Sequence, residues 1–334
     1  MSQRLVAIII LTIIAGGLIW HLGSHTETTS KYVVPEGQLI FRMAEHRSAD
    51  HPTNEGVQLF ADLVEERTEG GVKILIYDGH ALGDEASIIE QIGYGGIDFA
   101  RIGGVYLDEY MEEMHTLCLP GLYDNNEELM AVFEDETIST QISETLKNEK
   151  INVLTWYPGS TRGIFYSDAS MDHLNRGKIA IPKSQMKILE FEFMGFQPIP
   201  SVQEYVNSYL DGGYVQGVEG ELLDFYYYKS YNNSSHFTRT ESRIPEAIVA
   251  SNAAWNQMTV EQQQLVAQTA KEVGLLTSQR IREEESDVQL SLEASGIIFD
   301  DIEQDQAYNQ GIEQLTKAIG DLSLLDQIES ILNP

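Results

Sequence analysis

Basic side chains are scarce in this sequence. Its 334 residues carry 21 Lys plus Arg against 52 Asp plus Glu, a formal charge of -31. Such a balance repels phosphate backbones and anionic lipid headgroups alike, which removes nucleic acid from the expected partners. The acidity itself reads as a solvated, strongly charged surface of a kind suited to a salty or alkaline habitat. Cysteine is nearly absent. The single Cys118 excludes an internal disulfide and any cysteine-based zinc cluster. It stands between Leu117 and Leu119 in HTLCLPGLY, where a small apolar core residue is expected. Enzyme signatures are missing where they are easiest to see: there is no Gly-x-Ser-x-Gly elbow, no Walker phosphate loop and no His-Glu-x-x-His. The glycine run GYGGID fails the dinucleotide pattern, because Asp98 occupies the third glycine position and no helix follows. No cofactor is expected, and no internal repeat or low-complexity tract interrupts the chain.

Long apolar runs are also lacking, with one exception. After MSQR the chain reads LVAIIILTIIAGGLIW, uncharged from Leu5 to Trp20. That length lies between a signal-peptide core and a spanning helix, and the exit HLGSHTETTS offers no clear small-x-small cleavage site. Residues 1–29 are therefore expected to be a signal peptide or an uncleaved N-terminal membrane anchor, followed by a linker over 30–36. Either form makes the protein extracytoplasmic, periplasmic or held at the outer face of the cytoplasmic membrane. No cysteine follows the apolar run, so lipidation at this end is excluded.

What is present is enough apolar material, 42% of residues, for two domains with real cores. After the linker, short strands alternate with amphipathic helices. In HPTNEGVQLFADLVEERTEGG, Val57, Phe60, Ala61 and Val64 share a helical face and Gly70-Gly71 supplies the stop. VKILIYDG alternates as a strand, Asp84 caps the helix that follows, and IDFARIGG is a further strand. This order argues for a mainly parallel sheet with helices on its faces and ligands at the carboxyl ends of its strands. A second alternating unit runs through TRGIFYS, GKIAIP and YVQGVEG. Thr259 with Gln262 forms a capping box opening a helix that reaches toward Gly296, long enough to brace both units. Two α/β lobes fit this order and the length of the chain.

Polar residues at strand ends are the candidates for chemistry. Glu45-His46 close the first strand, Arg101 closes IDFAR, and Arg162 opens RGIFYS. In a chain this acidic, an arginine at a strand end is either ion-paired or a fork-shaped donor for a ligand carboxylate. The cluster EHRSADH offers Glu45, His46, Asp50 and His51 to a metal, but no third distant histidine motif joins it, and no metal is expected.

In this order the segments resemble the extracytoplasmic solute-binding proteins of TRAP (tripartite ATP-independent periplasmic) transporters, of the dicarboxylate (DctP) type. The resemblance runs from about Gly37 to Asn333 and is carried by FADLVEERTEGGVKILIYDGHALGDEASIIEQIGYGGIDFARI, LPGLY, STRGIFYS, GKIAIPKS, GFQPIP, EYVNSYLDGGYVQGVEG and WNQMTVEQQQLV. It implies an α/β, two-lobed fold like a periplasmic binding protein, with lobe I over 37–156 plus about 244–285, lobe II over 157–243 plus about 286–334 and the ligand cleft between them. It also implies hinge closure on a small organic acid, sugar acid or related polar solute and its delivery to TRAP permease membrane subunits, with no catalysis. Carried over by position, Arg162 contacts or supports the bound carboxylate, Arg101 matches an arginine of a sugar-acid branch, Glu45 and His46 hold hydroxyls, and Tyr205 and Glu219 match pocket residues. Three positions depart from the pattern. Ala180 stands where the family carries the arginine that clamps the ligand carboxylate, Gln216 replaces an aspartate and Gly220 replaces an asparagine. Losing one charge-assisted hydrogen bond costs about 1.5–3 kcal/mol, or roughly ten- to a hundredfold in affinity. Either Arg101, Arg162 or nearby Lys183 takes over the anion, or the ligand lacks a carboxylate. Other readings are a membrane-anchored ligand sensor for a signalling receptor and a metal-assisted hydrolase or lyase using Glu45, His46 and His51.

Overall fold

A computed structural model describes residues 37–167, 177–302 and 306–333. The expected export segment 1–29 and the linker 30–36 lie outside the described residues. Strand-helix alternation opens the fold: β1 (Leu39–Ala44), α1 (Pro52–Arg67), β2 (Val72–Tyr77), α2 (Glu85–Tyr94) and β3 (Phe99–Gly103). Helix α1 starts where Pro52 follows the His51 cap, whose ring accepts the Thr53 N–H. It buries Val57, Phe60, Ala61 and Val64 as their spacing predicts, and the chain leaves it through Gly70 at φ +79°. Asp84 caps α2 by accepting the Ser87 N–H.

Three helices, α3 (Glu113–Leu117), α4 (Asn126–Glu134) and α5 (Glu136–Asn148), lead to β4 (Ile151–Pro158), after which the chain leaves this sheet. It builds a second one with β5 (Arg162–Tyr166), β6 (Lys178–Ile181), α6 (Gln185–Phe193), β7 (Gln197–Pro200), α7 (Gln203–Asp211), β8 (Gly217–Glu221), α8 (Leu222–Tyr227) and β9 (His236–Arg239). It then returns through β10 (Pro245–Ser251) and α9 (Asn252–Trp255) to the long α10 (Val260–Ala294), and ends with β11 (Ile298–Asp301), α11 (Gln306–Ile319) and α12 (Leu322–Leu332). Among the described residues no helix is long and apolar enough to cross a membrane.

The first sheet has the order β2-β1-β3-β10-β4 and the second β11-β9-β5-β8-β6-β7. Neither is as parallel as the alternation suggests. Strands β2, β1 and β3 are parallel, as are β8, β6 and β7, but β10 runs against both β3 and β4, and β5 against both β8 and β9. The crossings between lobes explain this: a strand that re-enters a sheet from the other lobe arrives from the opposite end. Strand β7 sits at a sheet edge, where its Pro198 and Pro200 cost no ladder hydrogen bond.

The 35-residue α10 spans about 52 Å and has the predicted capping box. Val266, Ala270 and Val273 join the apolar cluster that holds Phe41 and Phe60, while Val288 and Leu292 lie in the same cluster as Phe237 of β9. One helix thus braces both lobes. Helix α12 departs from the division that assigns 286–334 to lobe II: Leu324 and Ile328 are buried with Leu129, Val132 and Phe133 of α4, in the core of the first sheet. Its apolar face finds its partner there.

Candidate functional site

Where the two sheets face each other lies a narrow cleft with about 50 Å³ of interior space. Parallel strands give it their carboxyl ends, with Gly103 closing β3 and Ile181, Pro182 and Lys183 at the end of β6. The antiparallel strands give it their amino ends, Arg162 of β5 and Glu246 of β10. The cleft thus lies at carboxyl ends, where the sequence places ligands, and also at the amino ends of antiparallel strands, which it does not anticipate.

The cleft wall is a network of buried charges. Arg101 grips Glu45 with a fork, Nε to Oε2 at 2.9 Å and Nη2 to Oε1 at 2.7 Å, and its Nη1 donates to Glu85 at 3.1 Å. Its Nη2 also lies against His46 Nδ1. Arg162 grips Glu219 in the same way, at 2.7 and 2.9 Å, with Glu221 at 3.4 Å. Arg47, in the loop after β1, reaches across the cleft to Glu221 and Asp224 of the second lobe, both at 2.7 Å, and to Glu246 of its own lobe at 2.5 Å. Lys187 of α6 lies 2.8 Å from Glu190 and 3.4 Å from Glu219. Buried arginines without such partners would be severely destabilising, so each fork is committed to a protein carboxylate.

Burial dominates the titration of this wall. It lifts Glu85 to about 7 against the pull of Arg101 and Arg47, and Glu221 to about 8, where Glu246 and Asp224 add repulsion against the pull of Arg47. Glu219 is also desolvated, but Arg162 and Lys187 outweigh the burial and hold it below the usual carboxylate range. His46 is pushed well below its ordinary value by burial and then by Arg101 and Arg47, so its imidazole is neutral. At the mouth, burial raises Asp84, but hydrogen bonds from Lys183 and Ser87 outweigh it and bring the carboxyl to about 2. The Lys183 contact, 2.8 Å from Nζ to Oδ2, joins the two lobes.

Of the residues proposed from sequence, Arg101, Arg162, His46, Glu219 and Lys183 line the cleft, and Glu45 stands one layer back, buried under Arg101. Two proposed residues lie elsewhere. Tyr205 is 50% exposed and packs beside Tyr209, while Val202, Gln203 and Val206 around it face the cleft. Ala180 is fully buried in the apolar cluster of Val206 and Val218, and Ile181, Pro182 and Lys183 beside it line the cleft instead. Its strand is covered on both faces, because Ile179 and Ile181 pack with Phe191 and Met194 on the other side. The Glu45, His46 and His51 grouping does not assemble as a metal centre: Arg101 holds the first two, and His51 Nδ1 sits 2.7 Å from Thr53 Oγ1 in the α1 cap. Among the described residues no group of acidic, histidine or cysteine side chains has metal-binding geometry.

Sequence reasoning passed over Arg47, Glu85, Glu221, Asp224 and Glu246. A signal existed for Glu246, the only charged residue in the wholly buried strand PEAIVAS, and for Arg47, which directly follows Glu45-His46.

A family model described as bacterial extracellular solute-binding protein, family 7 (DctP), matches residues 43–320. A solute-binding protein of Chromohalobacter salexigens is 23% identical over 226 residues, covering 66% of this chain and 67% of that protein. The C4-dicarboxylate-binding protein DctB of Bacillus subtilis is 23% identical over 265 residues, 75% of either chain. A TRAP periplasmic solute-binding protein from Pseudomonas putida F1, solved with bound D-glucuronate, superposes with a TM-score of 0.81 at 21% identity, over 89% of this chain and 97% of its own. With the family model spanning most of the chain and the two-lobed fold in place, this protein belongs to the bacterial extracellular solute-binding proteins of family 7, the DctP family.

Proposed function

We propose that this chain captures a small hydroxylated solute outside the cytoplasm and delivers it to the membrane subunits of a TRAP permease. Membership of an extracellular solute-binding family makes it a binding protein, not an enzyme. The observation that carries the reading is the set of polar contacts across the cleft, Arg47 to Glu221 and Asp224, and Asp84 to Lys183. Such contacts form when two lobes close and break when they part, as hinge closure on a ligand requires. The lobe division that goes with it is 37–156 with about 244–285 and the last helix, against 157–243 with the chain from about 286 up to that helix. The N-terminal run would export the protein and, if kept as an anchor, hold it at the outer face of the membrane. Solved structures of this fold hold sugar acids, D-glucuronate, β-D-galacturonate and D-erythronate among them. The side chains proposed to meet the solute are Arg101, Arg162, His46, Glu219 and Lys183, with Glu85, Asp224 and Glu246 added by geometry.

Mass spectrometry of material released from freshly purified protein, beside a thermal-shift screen of sugars, organic acids and amines, tests the reading. At least one solute at a hundred times its dissociation constant should add about 2.7 kcal/mol of stability. A screen in which nothing raises the melting temperature, from protein that carries nothing on purification, would sink it.

A further inference from the structure

The charges of the cleft do not suit the anion that the fold suggests. Its lining holds Arg47, Arg101, Arg162 and Lys183, and every one of them is paired with a protein carboxylate. Against these four stand six acidic lining residues, Asp84, Glu85, Glu219, Glu221, Asp224 and Glu246. The alanine at position 180 supplies no further cation, and His46 is neutral. Glu246, buried to 1% exposure in the wall, leaves its Oε2 without a hydrogen-bond partner among the described residues, although a buried carboxylate oxygen pays heavily for lacking one. Glu85 and Asp224 line the same cavity, and between Glu219 and Glu221 a Cβ on Gly220 would meet nothing within 4 Å. A carboxylate placed here would face acidic neighbours with no uncommitted fork to receive it. A group with positive charge and N–H donors would be met by acids of both lobes and would draw Glu85 and Glu221, which burial lifts toward neutrality, back to their ionised forms, while the buried Glu246 oxygen still has no partner among the described residues.

We infer that the cleft selects a small hydroxylated solute bearing an ammonium or amidinium group, held by Glu246 with Glu85 and Asp224, and discriminates against carboxylates. The inference rests on the solute-binding reading above and specifies its ligand class.

Three sugars that differ at one carbon test it: 6-amino-6-deoxy-D-glucose, D-glucose and D-glucuronate, titrated calorimetrically at pH 7 into full-length protein purified in detergent. The amine is expected to bind about ten- to a hundredfold more tightly than the uronate, with glucose between them, and Glu246→Gln should cut the amine's affinity by about the same factor. Glu85→Gln, which keeps an oxygen for the Gly103 N–H, is the second variant if the first does not fold. Uronate binding as tight as or tighter than amine binding overturns the inference and leaves the solute-binding reading standing. So does binding of none of the three sugars while another solute raises the melting temperature. Only if no solute of any class binds do both fall together.

Discussion

Arg162 and Lys183 are both cations at the cleft, yet their surroundings assign them different work. Arg162 is buried with its fork closed on Glu219, and without it Glu219 keeps only Lys187, 3.4 Å away, against full desolvation. Breaking such a pair from one side costs about 3–5 kcal/mol. Lys183 is 46% exposed and its partner Asp84 is 21% exposed, so removing that contact costs at most about 1 kcal/mol. Urea unfolding is therefore expected to show Arg162→Ala strongly destabilised and Lys183→Ala close to wild type. If Arg162→Ala instead unfolds at the wild-type midpoint while losing solute affinity, the fork serves the ligand and not the fold. Sequence alone places Arg162 at the start of its strand, where it stands. It could not say whether an arginine's partner is a ligand or a glutamate nearly sixty positions away, because that depends on which strands become neighbours. Ala180 shows the same limit: strand parity gives its face, and only the covering helix decides that the face is core.

Helices α1 and α10 cross where Gly56 meets Thr277. Gly56 lies inside α1 with no turn to make, and a Cβ built on it would run into the Thr277 side chain. Alanine is the better helix former by about 1 kcal/mol, so propensity alone favours Gly56→Ala. Overpacking works the other way, typically by about 1–3 kcal/mol, and is expected to prevail here. The net effect should be a lowered melting temperature that Thr277→Ala partly restores in the double variant; strictly additive effects of the two substitutions would count against this close approach. Local features of both helices are legible in the sequence, from the buried face of α1 to the Thr259 capping box, because they depend on residues within one or two turns. Sheet direction is not. Strand β10 pairs with β3 and β4 only after the chain has built the second lobe, and β7 hides its alternation behind two prolines. The amphipathic face of α12 was readable, but not the choice of α4 as its partner.

Across the whole molecule, packing so many acids into one cleft should leave a signature in how stability varies with pH. Glu85 titrates near its ordinary 4.5 when unfolded and at about 7 when folded. Below pH 4.5 it is protonated in both states. As the pH rises from 4.5 through 7 the unfolded chain gives up this proton first, so the folded state loses stability, by about 3 kcal/mol for a shift of this size. Other groups act in the opposite direction. Glu219 and Glu246, held low, give stability that is present above 4.5 and lost as the pH falls. His46 and His51 are buried neutral, and they oppose folding as the pH drops below 6.5. The wild-type profile is thus a composite, laid over the self-repulsion of a chain with a formal charge of -31. Comparison with Glu85→Gln removes nearly all of it, since both proteins share every other group. The stability of the variant relative to wild type should climb by about 3 kcal/mol between pH 4.5 and 8, read from denaturant midpoints at each pH. A constant offset over that range would mean that Glu85 is ionised in the folded protein throughout. Arg101 would then bear the charge of Glu85 as well as that of Glu45, and the cleft would hold one more negative charge for a cationic solute to neutralise.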